Sequence, residues 1–296
     1  MRMTNDLKPR PVLRNLLVSS RPVSWVNTAY PFAAAYLLTA QAVDLPLVIG
    51  TLFFLVPYNL MMYGINDVFD YESDVRNPRK GGAEGAVLDR SLHRTTLLAA
   101  VLLPLPFVAF LLAVGTWLSA AVLALSLFAV VAYSAPGLRF KEQPFLDSMT
   151  SSFHFTSPAL FGLVLAGADF TGGLWAVLGA FFLWGMASQA FGAVQDINAD
   201  REGGVASVAT VLGAAATVKY ALAAYALAGV LMLFTGWPGA LGALLALPYL
   251  ANCWPFRAVE GSRAEASNAG WKRFLWLNYV TGFFVTMLLL WYAAAR

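Results

Sequence analysis

Near the end of one long apolar run the chain reads Asn66-Asp67-Val68-Phe69-Asp70-Tyr71-Glu72-Ser73-Asp74. Continued as a helix, this stretch puts Asn66, Asp70 and Asp74 at i, i+4 and i+8 with Asp67 beside them, within an arc of roughly 100°. Carboxylates stacked on one helical face repel one another, so the pattern calls for a cation. Hard oxygen ligands suit Mg²⁺, which usually joins one or two carboxylates to substrate phosphates. A second stretch, Gln195-Asp196-Ile197-Asn198-Ala199-Asp200, repeats the i, i+4 acidic pair. Two such faces could hold a diphosphate between them through Mg²⁺. Basic residues lie close by: Arg76, Arg79 and Lys80 after the first motif, Arg201 after the second, and Arg139 and Lys141 in a separate polar stretch. The candidate site takes Asp70, Asp74, Asp196 and Asp200 as catalytic carboxylates, with Asp67 joining them as a metal ligand. Asn66, Arg79, Lys80, Arg139 and Lys141 are its expected diphosphate contacts.

These residues sit in a chain that is otherwise poor in charge. Of 296 residues, 59% are hydrophobic and 12% charged, against about a quarter charged in soluble domains. That excess could not be hidden in one soluble core, which excludes soluble, disordered and fibrous classes. A spanning helix needs roughly 20 mostly apolar residues, and nine runs qualify: 22–43, 46–66, 92–114, 116–134, 145–167, 172–194, 211–233, 238–256 and 272–293. Backbone groups in lipid must be satisfied internally, and none of the runs shows the sparse alternation of a membrane barrel. The expected fold is all-α: a polytopic bundle of nine transmembrane helices, two four-helix halves plus a ninth helix, forming a single integral-membrane domain over 1–296.

Charge placement orients this bundle. With nine spans, every Lys and Arg except Arg296 falls on one side of the membrane. The positive-inside rule makes that side cytoplasmic, with the N-terminus in. Residues 1–21 then read as a basic cytoplasmic tail, without the apolar core of a signal peptide. The opposite connections are short and nearly uncharged, so the chemistry is expected on the cytoplasmic face of the cell membrane. A net charge of +3 gives no reason to expect nucleic acid as a partner. One cysteine, Cys253, permits no internal disulfide, and two histidines, His93 and His154, make no histidine-rich metal centre.

The two acidic motifs at the ends of spans 2 and 6 resemble those of the UbiA superfamily of membrane prenyltransferases, and the likeness covers the whole chain. Asn66-Asp67-x-x-Asp70-x-x-x-Asp74 matches the first aspartate-rich motif, Asp196-x-x-x-Asp200 the second, and Tyr133-Ser134 with Arg139 and Lys141 the loop after span 4. The stretches Ser20-Arg21-Pro22-Val23-Ser24-Trp25, Arg76-Asn77-Pro78-Arg79-Lys80-Gly81-Gly82 and Ser152-Phe153-His154-Phe155-Thr156-Ser157-Pro158 are similar to the lycopene elongase branch of that superfamily. The resemblance implies transfer of a five-carbon unit from dimethylallyl diphosphate to the ends of lycopene, with Mg²⁺ as cofactor, the lipid bilayer as surroundings and a hydroxylated longer carotenoid of the flavuxanthin type as product.

Such a reaction ionises an allylic diphosphate and then needs a water-poor cavity for the cation. Aromatic faces stabilise a cation by about 0.5–2 kcal/mol each, and Tyr63 and Tyr133 are candidates, with Tyr58, Phe69, Phe153 and Phe155 nearby. His154 and Asn27, polar residues within spans, are candidates for proton transfer or cation stabilisation, and Asn59 shares that ambiguity. Two alternatives stay open. A relative of the same superfamily could act on an aromatic, quinone-precursor or lipid acceptor. A secondary transporter would instead place ionisable groups near the bilayer midplane, whereas here they gather at one interface.

Overall fold

The computed structural model describes residues 12–75 and 88–295, with the backbone alone for Ser73 and Asp74, and every element among them is helical. The chain begins with α1 (Val12–Ser19), turns at Arg21, and enters α2 (Trp25–Ala40). Helix α3 (Leu45–Leu55) is capped by Asp44, whose carboxylate accepts from Leu47 N at 3.0 Å. Pro57 then interrupts the run, since it has no N–H to continue the ladder, and α4 (Pro57–Phe69) restarts it. The carbonyls around this break would be orphaned in an apolar interior. Thr28 Oγ1 donates to Phe54 O at 2.7 Å, and Asn59 Nδ2 donates to Phe54 O and Leu55 O at 2.8 and 3.1 Å. Asn59 therefore serves the kink.

Beyond α4 the chain bends at Asp70 and forms one short turn, α5 (Tyr71–Asp74). Helices α6 (His93–Leu102) and α7 (Leu105–Val114) are separated by Pro104, and α8 (Trp117–Ser134) opens on a reciprocal Thr116–Ser119 cap. Helix α9 (Leu146–Leu165) packs against α2, α8 and α10 (Gly172–Val194). The short helices α11 (Ile197–Glu202) and α12 (Val208–Leu212) lead to α13 (Ala214–Met232), α14 (Ala246–Cys253) and α15 (Asn268–Ala294). One apolar cluster is built from α2, α3, α4, α7, α8 and α9 around Phe32, Phe54, Tyr58 and Phe161. A second gathers Phe191, Tyr225, Tyr249 and Phe274 from α10, α13, α14 and α15.

Among the described residues, seven helical stretches are long and apolar enough to cross a membrane: Leu45–Phe69, Arg90–Val114, Trp117–Ser134, Gly172–Val194, Ala214–Thr235, Gly239–Phe256 and Gly261–Ala294. The two other expected spans correspond to α2, only 16 residues long, and α9, which is rich in Ser and Thr and carries Asp147 and His154. Helix α9 is shielded by its neighbours, with 13 of its 20 residues buried, which explains the polar content it tolerates. The approach of α2 and α9 is close: a Cβ on Gly162 of α9 would meet Phe32 O of α2 at 2.8 Å, the small-residue contact typical of membrane bundles. At the other extreme α15 buries only Gly270 and Phe274 and exposes Trp276, Tyr279, Phe283 and Leu290.

Candidate active site

The first motif folds around its ends. Asn66 Nδ2 donates to Asp70 Oδ2 at 2.7 Å, so these two residues share a face as expected from their spacing. The helix does not run on to Asp74: α4 ends at Phe69, Asp70 takes φ −99°, ψ 0°, and the chain restarts in α5. Asp74 thus lies beyond a bend, and the continuous i, i+4, i+8 stripe is not formed. Strong polar ties at the helix end account for the bend, because Lys141 and Arg139 both draw on Asp70.

Three cations reach the motif from distant segments. Lys141 forms an ion pair with Asp70, and the Arg139 guanidinium lies 3.7 Å from the same carboxylate. Arg139 is also bound by Glu142. That hydrogen bond holds the Glu142 carboxyl below its ordinary range and raises the guanidinium's own value. Arg21 donates from Nη2 to Oδ1 of Asp67 at 3.0 Å, where the Asp67 side chain is fully buried, and its guanidinium covers the Tyr63 ring at 4.2 Å. Both arginines have left-handed backbones, φ 49° at Arg21 and φ 41° at Arg139. Such a conformation costs a non-glycine residue about 1–3 kcal/mol, and it persists where surrounding contacts enforce it. Arg79, Lys80 and Arg76 lie outside the described residues.

Tyr133 at the end of α8 lies within electrostatic reach of Asp70, Tyr63, Arg21 and Asp147. Its ring meets that of His154 edge-on, with centroids 5.1 Å apart. Ser134, the next residue, donates to Asn66 Oδ1 at 3.4 Å. His154 is buried, 3% exposed. Asn27 is not part of this gathering: it is exposed on α2, because the inward face of that helix is set by Thr28, Phe32 and Tyr36.

The second motif starts where α10 ends. Asp196 immediately precedes α11, Asp200 lies in its first turn, and both are half-buried. Gln195 is the anchored member: its Oε1 accepts from Asn268 Nδ2 at 2.5 Å, and its Nε2 donates to Gly192 O at 3.0 Å. Arg201 is exposed and donates to Thr210 O on α12 at 3.0 Å. Asp147, at the start of α9, accepts from Val208 N of α12 at 2.9 Å. This buried carboxylate therefore ties the segment after the second motif to the helix that runs beside Tyr133.

Motif spacing did not single out Arg21, which pairs with Asp67, or Asp147, which ties α9 to α12. Arg21 reads as one more orienting charge, and Asp147 as the polar start of a span. The one signal available for Asp147 is an acid inside an otherwise uncharged run.

Asn66, Asp67, Asp70, Asp196 and Asp200 offer hard oxygen donors of the kind Mg²⁺ takes. Among the described residues no three His, Cys, Asp or Glu side chains come close enough to hold a metal alone. The donor set fits an ion whose coordination is completed by waters and phosphate oxygens, which is the usual habit of Mg²⁺.

Helices of this order, with acids and cations gathered at the ends of α4 and α10, define a membrane-embedded prenyltransferase scaffold. Residues 28–280 match the model of the UbiA prenyltransferase family, and the chain belongs to that family. It is 60% identical to the C(50) beta-cyclic carotenoids biosynthesis protein LbtBC of Dietzia sp. over 95% of its own length, but spans only 65% of that protein. It is 52% identical to the lycopene elongase/hydratase of Corynebacterium glutamicum, over 94% of this chain and 97% of that one. A UbiA homolog from Archaeoglobus fulgidus, solved bound to DMAPP and Mg²⁺, superposes with a TM-score of 0.65 at 18% identity, covering 90% and 98% of the two chains. With several helices long and apolar enough to cross a membrane, and as a member of this family, the chain is a multi-pass membrane protein.

Proposed function

We propose that this protein is a lycopene elongase: it transfers a five-carbon prenyl group from dimethylallyl diphosphate to the ends of lycopene and releases a hydroxylated, longer carotenoid. The observation that carries this reading is the convergence of Arg21, Arg139 and Lys141 on Asp67 and Asp70 above a buried bundle. The similarity to the lycopene elongase/hydratase of Corynebacterium glutamicum supports the choice of acceptor.

In this reading Arg139 and Lys141, with Arg79 and Lys80, bind the diphosphate oxygens, and Asn66 orients Asp70 beside them. Asp67, Asp70, Asp74, Asp196 and Asp200 hold Mg²⁺, which when bound supplies Lewis-acid stabilisation of the leaving diphosphate. The ion pairs of Arg21, Arg139 and Lys141 with Asp67 and Asp70 keep these cations beside the carboxylates that would hold the metal. Asp196 and Asp200 close the site from the other half of the chain. Tyr63 and Tyr133 present aromatic surface to the allylic cation, and the helices around them exclude water.

Helices α2 and α9 complete seven spans to nine, as two four-helix halves and a ninth helix in one integral-membrane domain. The N-terminus and the site face the cytoplasm of the cell membrane, where the basic residues gather.

Expression in bacteria that accumulate lycopene tests the function. New pigments heavier by one or two hydroxylated five-carbon units are expected. Unchanged lycopene, with prenylation of an aromatic, quinone-precursor or lipid acceptor instead, would overturn the choice of acceptor.

A further inference from the structure

Past the bend at Asp70 the first motif ends in α5, a single turn of four residues. A turn that short is unfavourable alone, because its nucleus fixes several residues for one hydrogen bond. That bond is Val75 N to Tyr71 O at 3.0 Å. The remaining support arrives from the entry of α6 and grips one side chain. The Arg90 guanidinium lies over the Tyr71 ring, 4.9 Å from its centroid, and the His93 ring meets it edge-on at 5.0 Å and 72°. Arg90 also pairs with Glu72, the next residue of α5. That pair is exposed at both ends and contributes little alone, so the half-buried ring is the better hold.

The gripping residues are themselves fixed. Arg90 opens a 3₁₀ turn (Arg90–Leu92) that leads into α6, and Asp89 caps it by accepting from Ser91 N at 2.8 Å. His93 Nε2 lies 3.3 Å from Leu88 O. Helix α6 packs closely on α4, where a Cβ on Gly64 would meet Thr96 Cγ2 at 3.1 Å. Between α5 and this entry opens a pocket of about 250 Å³ lined by Val68, Phe69, Tyr71, Glu72, Arg90 and His93. Ring contacts and an ion pair therefore stand where a filled core would otherwise hold the turn.

We infer that Tyr71 is a positioning residue: held by Arg90 and His93, its ring fixes the turn that brings Asp74 to the metal ion. The inference rests on the assignment of Asp74 as a Mg²⁺ ligand made above. Asp74 lies three residues after Tyr71 in the same turn, so a tilt or rotation of α5 displaces it. Mg²⁺ tolerates such displacement poorly, since it demands near-ideal octahedral geometry with ligands at about 2.0–2.1 Å. Loosening the ring therefore weakens metal binding without removing a ligand. Tyr71 acts through Asp74 and needs no contact with the substrate.

The test titrates Mn²⁺, a paramagnetic stand-in for Mg²⁺, into the full chain purified in detergent with dimethylallyl thiolodiphosphate, an analogue that resists ionisation. Electron paramagnetic resonance reads the free ion. Tyr71→Leu is expected to raise the Mn²⁺ dissociation constant about tenfold and Arg90→Met about threefold. Tyr71→Phe, which keeps the ring, stays within about twofold of wild type. Asp74→Asn raises the constant about tenfold or more, and adding Tyr71→Leu to it changes little further. Wild-type affinity in Tyr71→Leu, an equal loss in Tyr71→Phe, or a full additional loss in the double variant overturns the role of Tyr71 and leaves the metal reading intact. If Tyr71→Leu is not recovered folded, Arg90→Met combined with His93→Leu replaces it, and wild-type affinity there overturns the role equally. Wild-type affinity in Asp74→Asn, or no saturable Mn²⁺ binding by the wild type, defeats the metal reading on which the inference rests.

Discussion

The two acidic motifs are similar in sequence and differ in how the protein holds them. Around Asn66, Asp67 and Asp70 the supporting charges come from far along the chain: Arg21 before α2, and Arg139 and Lys141 after α8. Around Asp196 and Asp200 the visible anchor is neutral, an amide pair between Gln195 and Asn268, and the adjacent Arg201 is spent on a backbone carbonyl. The first motif is set by ion pairs, two of them from backbones in left-handed conformations. Beside the second, the described ties are the amide pair and the helix ends that flank it.

The comparison breaks most sharply at the carboxylates. Asp70→Ala and Asp196→Ala should each lower prenyl transfer by roughly 10³-fold or more, the scale of losing a group that stabilises developing charge, with membrane insertion unchanged. Full activity in Asp196→Ala would remove the second motif from the site. At the next level, Lys141→Met should reduce kcat/KM by about 10²-fold, whereas Arg201→Met should stay within about twofold because its guanidinium serves Thr210 O. Equal losses in these two variants would erase the proposed difference.

Stability gives a smaller contrast. Arg21→Gln removes the cation beside a fully buried carboxylate and should cost about 2 kcal/mol, less than a fully buried pair because Arg21 is partly exposed. Asn268→Ala should cost about 1 kcal/mol, one hydrogen bond. Thermal unfolding in detergent would order the two. The smallest effect is that of Glu142→Gln, at most about 1 kcal/mol at neutral pH. The Glu142 carboxyl is held below its ordinary range by Arg139, so its contribution is full above that range and fades as pH falls through it and below. Wild type and Glu142→Gln should therefore converge in Tm under acid, and a gap that widens there would contradict the pairing.

Much of this was legible in the residues. The end of α10 at Val194 and the start of α8 at Trp117 follow from run length and from turn residues, which act locally. The shared face of Asn66 and Asp70 follows from helical spacing. The bend at Asp70 was not legible, since it depends on Lys141 arriving from 71 positions away in sequence. Asn27 illustrates the opposite error. A polar residue in an apolar run draws notice, yet its neighbour Thr28 is the one turned inward, and only packing decides between adjacent positions 100° apart.

By itself the sequence determined that this chain lives in a membrane, that two acidic motifs stand at the ends of apolar runs, and that a diphosphate with Mg²⁺ is the ligand they suit. These follow from apolar run length, charge scarcity and i, i+4 spacing, all properties of neighbouring residues. Tertiary structure alone decided that Arg21, Arg139 and Lys141 meet Asp67 and Asp70, that Asp147 joins the segment after the second motif to α9, and that His154 packs edge-on against Tyr133. Those depend on which helices approach one another, and long-range approach is set by packing of whole faces, which no local spacing encodes.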